Sequence, residues 1–274
     1  MLNFPIKWGP DPLFFEIGIL KLGWYGLFFA GGIAVGYRLM ETAFKKKGYP
    51  EEYFHQLALY VILGIIIGAR VGHCVFYDWA YFSQHPWEIF LPVKFEPQLA
   101  FIGFRGLASH GGAVGVASAL YGFYRRTQGK VSMPFVLDQL ARIAPIPCAS
   151  IRLGNLMNSE IIGLPTEVPW AFVFTRIDEV PRHPAQLYEA FAYVMGFFLL
   201  RWVYHKSLHR YPLSTFALML IYMFSARFIL EFFKENQMAF ESMLPLNMGQ
   251  LLSLPFILVG ATLWVYARRT KLQT

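Results

Sequence analysis

What constrains this chain most is a series of hydrophobic stretches, each long enough to cross a bilayer. A helix of roughly 20 apolar residues suffices for that. Seven such stretches are read at about 17–40, 57–77, 106–124, 134–151, 187–204, 213–233 and 247–267. In lipid the backbone must satisfy its own hydrogen bonds, so each is expected to be helical. The fold class is all-α: a polytopic membrane protein of about seven transmembrane helices, forming a single membrane-embedded domain over 1–274. Only 15% of residues are charged, where a soluble chain carries about a quarter.

The fourth stretch is atypical. It holds Asp138, Arg142, Pro145 and Pro147, so a broken helix packed among the others is expected there. Residues 78–105 and 160–186 are two long loops, and residues 1–16 read as an interfacial segment lying on the membrane. No signal peptide with a basic start and a small-residue cleavage site is evident. Cys74 and Cys148 lie far apart in apolar settings and read as small core residues.

A net charge of +7 does not point to nucleic acid. Four short gaps (38–56, 125–132, 201–212 and 268–274) hold 13 of the 24 Lys and Arg. That is a topology signal, placing these gaps and the C-terminus in the cytoplasm and the N-terminus outside. Both long loops then face outward.

Residues 150–163, Ser-Ile-Arg-Leu-Gly-Asn-Leu-Met-Asn-Ser-Glu-Ile-Ile-Gly, place Arg152, Asn155, Asn158 and Glu160 between hydrophobic segments. Such groups at membrane depth mark a site unless they form a polar loop capping a helix end. In the sixth stretch Arg227 and Glu231 are four apart, on one helix face. They form either a structural ion pair or part of a site. His110 precedes Gly111 and Gly112, and the glycines admit a close backbone or ligand. The imidazole is suited to moving a proton near neutral pH, or else is a core histidine bonded to a carbonyl. Arg70, Arg152 and Arg227 all lie toward the outer leaflet, where guanidinium groups suit an anionic lipid headgroup. Arg70 has a structural alternative as partner of an acidic residue. No metal-ligand spacing surrounds His110 or His183.

Seven blocks in order carry a resemblance: Trp24-Tyr25-Gly26, Gly68-Ala69-Arg70-Val71-Gly72, His110-Gly111-Gly112, Arg152-Leu153-Gly154-Asn155 through Glu160 and Gly163, His183 through Glu189, Arg227 through Phe233, and Gly249 through Ser253. Together they resemble the prolipoprotein diacylglyceryl transferases of bacteria. The resemblance implies an inner-membrane enzyme that moves the diacylglyceryl group of phosphatidylglycerol onto the lipobox cysteine of a preprolipoprotein. A thioether forms and glycerol phosphate leaves, with no cofactor and no metal. It further implies that Arg152 and Arg227 bind the headgroup phosphate, with Asn155 and Glu160 on its glycerol side. Glu231 orients Arg227, Asp138 buttresses the motif, and Tyr25, Arg70 and Gly111 belong to the lipid-binding set. His110 is assigned as proton acceptor, the alternative being that it hydrogen-bonds the lipid while phosphate or another side chain takes the proton. Ile151 and Ser159 stand where that family usually has Gly, and Tyr222 sits one residue before the place of a common aromatic. A transporter or flippase for an anionic lipid is the second reading, favoured by inverted repeats, of which none is visible.

Overall fold

The computed structural model of the chain describes residues 5–17, 20–91, 93–94, 100–101, 108–236, 241 and 244–270. It is mostly helical, with short strands between helices. The chain divides into two compact units, Met1–Met40 with Pro134–Thr274, and Glu41–Met133.

In chain order, strand β1 (Ile6–Trp8) is followed by a hairpin of β2 (Leu13–Ile17) and β3 (Leu20–Gly23), and helix α1 runs Trp24–Lys47. The first helix thus begins later than the hydrophobic pattern suggests, because residues 13–17 and 20–23 pair with each other as antiparallel strands. Trp24, Tyr25 and Gly26 form its opening turn. Residues 6–8, read as part of an interfacial segment, instead form an edge strand.

The second unit is built on α2 (Glu51–Phe76) and α4 (Ser109–Thr127), with a short helix α3 (Trp79–Phe82) and strands β4 (Val93–Lys94) and β5 (Ala100–Phe101) between them. Gly64, Gly68 and Gly72 recur every four residues on α2 and meet Gly111 and Gly115 of α4. A Cβ at Gly111 would overlap the Gly68 carbonyl oxygen, so the helices touch backbone to backbone. At Gly111 the space of a side chain is filled by α2.

The first unit resumes with α5 (Met133–Ile143) and α6 (Pro145–Asn158), broken at Ala144. Pro145 opens α6 at a position where its missing N–H costs nothing. The short strands β6 (Phe172–Phe174) and β7 (Pro181–Arg182) precede α7 (Ala185–Lys206), α8 (Ser214–Leu230) and α9 (Met248–Arg269). A 3₁₀ turn over Glu231–Phe233 prolongs α8. Strand β1 pairs in parallel with β6, and β7 joins β6 antiparallel. Trp8, Leu156, Ile162, Phe172, Phe174 and Leu187 pack into one apolar cluster beneath this sheet.

Among the described residues, three helices are long and apolar enough to cross a membrane: Glu51–Phe76, Ser214–Phe233 and Met248–Arg269. The other stretches read as spans are also helical over most of their described length, the fourth as the two short helices α5 and α6.

Asp138 settles a second correction. Its carboxylate accepts the backbone N–H groups of Leu213 and Phe216, each at 2.9 Å, so it caps the start of α8. Arg227 and Glu231 lie at the other end of that 17-residue helix, about 20 Å away along the axis. Asp138 therefore does not buttress the motif. Removing two charge-assisted bonds at a helix start costs about 2 kcal/mol. Asp138→Ala is expected to lower the thermal midpoint in detergent, as a thermal-shift assay checks; an unchanged midpoint overturns the capping role.

Candidate active site

The polar motif is a helix C-terminus. α6 ends at Asn158, and Ser159 adopts a left-handed backbone with φ 55°. The Glu160 amide donates to the Asn155 carbonyl at 2.9 Å and the Ser159 amide to the Leu156 carbonyl at 3.1 Å, the paired bonds of a Schellman cap. Glycine is favoured in that place because the left-handed region costs it little. Here serine holds it, with its buried hydroxyl unpaired among the described residues. Ile161, a β-branched residue, also takes a positive φ of 55°, a strained conformation of the kind that gathers at functional sites.

Because the motif is helical, Arg152 and Asn155 share a face. Arg152 Nη1 donates to Asn155 Oδ1 at 3.3 Å, and Asn155 Nδ2 to Glu160 Oε2 at 2.9 Å. Asn158 Nδ2 donates to the other Glu160 oxygen at 3.1 Å. The Glu160 backbone carbonyl accepts from Gln186 Nε2 at 2.7 Å. This chain of donors ends on a carboxylate that is itself exposed. The Tyr25 ring lies flush on α6 at Gly154, where a Cβ would sit 2.8 Å from the ring.

Behind Arg152 stands Glu189 of α7, with no exposed side-chain surface; Arg152 Nε lies 3.3 Å from its Oε2. The contact is one of charge, since its angle falls short of a hydrogen bond. The other Glu189 oxygen is 3.3 Å from Lys234 Nζ, itself only 1% exposed. Lys234 in turn donates to Glu231 Oε2 at 2.9 Å. Glu231 is pressed against α9, where a Cβ at Gly249 would fall inside its carboxylate. Asn247 and Gln250 form a reciprocal capping box at the start of α9.

Glu231 therefore does not orient Arg227. The expected four-residue pair is absent because the buried ammonium of Lys234 takes the carboxylate. Arg227 is half-buried and has no hydrogen bond or ion pair among the described residues. It is brought to the Arg152 level by packing: Ala149, Tyr193 and Met223 form one cluster, and each arginine lies about one turn beyond it. Cys148 and Tyr193 lie within electrostatic reach of Arg152, Glu189 and Arg227 alike.

Three predicted residues belong to the second unit. Arg70 is buried and donates to the carbonyls of Ile89 (2.9 Å) and Glu88 (2.7 Å), with its guanidinium 4.8 Å from the Phe82 ring. It anchors the segment after α2 through these main-chain carbonyls. His110 is exposed in the first turn of α4. An open apolar groove of about 660 Å³ runs along α2 and α4, lined by residues such as Leu63, Ile67, Val71 and Val114. It contains none of the predicted ionisable residues.

The sequence profile of the family described as prolipoprotein diacylglyceryl transferase matches residues 12–266. A phosphatidylglycerol–prolipoprotein diacylglyceryl transferase of Bacteroides fragilis is 46% identical over 264 residues, covering 94% of each chain. Its counterpart in Chloroherpeton thalassium is 43% identical, covering 94% of this chain and 92% of its own. That of Porphyromonas gingivalis is 41% identical, covering 97% and 95%. The chain belongs to the prolipoprotein diacylglyceryl transferase family.

Membership in this transferase family favours an enzyme over a transporter. Sequence reasoning assigned no role to Glu189 or Lys234. The available signal was an acid one turn into an apolar helix, and a lysine three residues after the Glu231 that ends another; ionisable residues so placed point to function. Tyr222, out of step with the family aromatic, donates its hydroxyl to the Ala192 carbonyl at 2.8 Å and so ties α8 to α7.

The loop between α6 and α7 is tied down separately. Arg182 chelates Asp178, with Nη2 at 2.6 Å from Oδ2, and donates to the Gly163 carbonyl at 3.3 Å. Trp170 Nε1 donates to Tyr188 Oη at 2.7 Å, and that hydroxyl faces His183 Nδ1 at 3.1 Å. Burial holds the His183 imidazole below its usual pKa. The unfolded chain then takes up a proton that the folded loop refuses, so stability falls as pH drops through about 6.5.

The thermal midpoint is expected to fall between pH 7.5 and 5.5, and to fall less in His183→Gln. Ser159→Gly is expected to raise the midpoint through about 1 kcal/mol of relief, from removing a left-handed Cβ and an unpaired buried hydroxyl. Thermal shift at fixed detergent checks both; a lowered midpoint for Ser159→Gly contradicts the Schellman assignment.

Proposed function

We propose that this chain transfers the diacylglyceryl group of phosphatidylglycerol to the lipobox cysteine of preprolipoproteins, as a seven-span protein of the bacterial inner membrane. Its N-terminus faces outward and its C-terminus the cytoplasm, by the distribution of Lys and Arg in the short gaps. The whole chain acts as a single membrane-embedded domain. The observation that carries the site assignment is Arg227: a half-buried cation without a counter-ion among the described residues, one turn from the cluster that also fixes Arg152. A charge placed in that way requires an anion, and a lipid phosphate supplies one.

The reaction is a displacement at the glycerol carbon that bears the phosphate. The thiolate sulfur forms a bond to that carbon, the carbon–oxygen bond breaks, and its electron pair leaves with glycerol phosphate. Charge grows on the departing phosphate, so fixed guanidinium donors lower the barrier. Arg227 and Arg152 hold the phosphate in this scheme. Asn155 keeps Arg152 in place through its Oδ1, and Glu160, held by two asparagine amides, accepts from the glycerol hydroxyls. Tyr25, packed against α6, closes the site beside them. The thiol, with a usual pKa near 8.5, must lose its proton, and His110, exposed at its helix start, is the acceptor. Asp138, Arg70 and Gly111 take structural roles, for the reasons given by their contacts.

Purified protein in phosphatidylglycerol micelles should modify a lipobox peptide by one diacylglyceryl group without ATP or added metal, read by mass spectrometry. Arg227→Ala and Arg152→Ala should each lower kcat/KM at least 100-fold, about 3 kcal/mol of lost transition-state stabilisation. Full activity in either folded variant overturns the phosphate assignment. Wild-type activity and pH profile in His110→Gln remove it as the proton acceptor.

A further inference from the structure

Arg227 and Glu231 are four residues apart, and Glu231 keeps helical dihedrals (φ −63°, ψ −25°). On a helix that spacing places the two side chains together, and an ion pair between them is the default outcome. In this protein it does not form. Glu231 Oε2 instead accepts from Lys234 Nζ at 2.9 Å, and Lys234 also lies 3.3 Å from Glu189. The ammonium is almost wholly enclosed, at 1% exposure, between carboxylates exposed by 5% and 0%.

The charges can be counted. Glu189 and Glu231 carry two negative charges, and Lys234 and Arg152 supply two positive ones in contact with them. The buried cluster is neutral without Arg227. Were Lys234 uncharged, Glu231 would be a buried carboxylate needing a cation, and the nearest along its own helix face is Arg227.

Lys234 is also fixed by its backbone, not by charge alone. It forms a β-bridge with Gly163. On either side of it, the Leu164 amide donates to the Phe233 carbonyl at 2.9 Å, and the Glu235 amide donates to the Ile162 carbonyl at 3.2 Å. The lysine is thereby tied to the segment that follows the Arg152–Glu160 motif.

We propose that Lys234 is a positioning residue that occupies Glu231 and so leaves Arg227 unpaired for the phosphodiester of the lipid substrate. This rests on the assignment of Arg227 to the phosphate made above. Lys234 touches neither substrate nor reacting atoms; it acts by removing the competitor that sequence spacing puts beside Arg227.

The test measures KM for phosphatidylglycerol and kcat separately, in micelles with a lipobox peptide, alongside thermal midpoints. Lys234→Met should raise KM at least tenfold with a smaller change in kcat, because Glu231 then captures Arg227. Lys234→Arg keeps the charge and should stay within about threefold of the parent KM. Lys234→Met combined with Glu231→Gln should recover most of the KM loss, since no carboxylate remains to capture Arg227. Because Glu231→Gln also removes a buried unpaired carboxylate, a purely structural role predicts that KM recovers only in step with the thermal midpoint, whereas the positioning role changes KM at matched midpoints.

An unchanged KM in Lys234→Met, or a double variant as poor as the single one, overturns the proposal. Should Lys234→Met not fold, a folded double variant with KM raised tenfold or more overturns it equally. Arg227→Ala separates the two layers. Parent-like KM and kcat there mean the phosphate assignment has failed. A large loss there, with the Lys234 series behaving additively, means that the positioning role alone has failed.

Discussion

Glu189 is the residue on which the site depends. Its carboxylate has no exposed surface and stands between two cations, Arg152 on α6 and Lys234 beyond α8. A buried charge is tolerated only when paired, and losing one partner is costly because the other charge stays buried. Three segments distant in sequence are thus held to one arrangement by a single acid. Tyr193 adds its hydroxyl at 3.4 Å, and the apolar cluster of Ala149, Tyr193 and Met223 supports the same helices from one side. The arginines are positioned by this charge and packing together, not by contact with each other.

Helix C-termini form one edge of the site. α6 ends in a Schellman turn just where Glu160 emerges, and α8 tightens into a 3₁₀ turn just where Glu231 and Lys234 are needed. At the first, the left-handed Ser159 turns the chain out of the helix before Glu160; at the second, Glu231 keeps helical dihedrals and Lys234 follows the turn back onto its carboxylate. The strain at Ser159 and Ile161 is confined to the first of these turns. There the polar contacts of Glu160 and the apolar cluster beneath the sheet over-determine the chain path.

Much of this was legible in the residues. The apolar periods located the helices, and Pro145 with Pro147 located the break between α5 and α6. The run of Arg152, Asn155, Asn158 and Glu160 named the polar edge, because amide and charged groups are rare in apolar surroundings. Partner choice was not legible. Spacing alone pairs Arg227 with Glu231, and only the fold shows that Lys234 reaches the same carboxylate first. Asp138 looked like part of the site because it is an acid in an apolar stretch; a helix start 75 residues later in the chain claims it. Gly111 was ambiguous between ligand and backbone approach, and its contact with Gly68 and Gly72 of α2 is one that no local pattern names. The strands were missed because β1 is three residues long and finds its partner at Phe172–Phe174, a pairing that no local pattern reveals.

That pairing bears on how the molecule is assembled. β1 comes from the very start of the chain, and Trp8 donates its indole N–H to the Leu156 carbonyl at 2.9 Å. The cover over the polar motif therefore cannot be completed during early synthesis, however quickly individual helices form. It waits until the segment carrying β6 has also been made. Contacts of such long sequence separation are slow to close. The leading strand stays without its partner until the six helices α1–α6 and the segment carrying β6 have been made, so this sheet closes only after residue 174 has been synthesised.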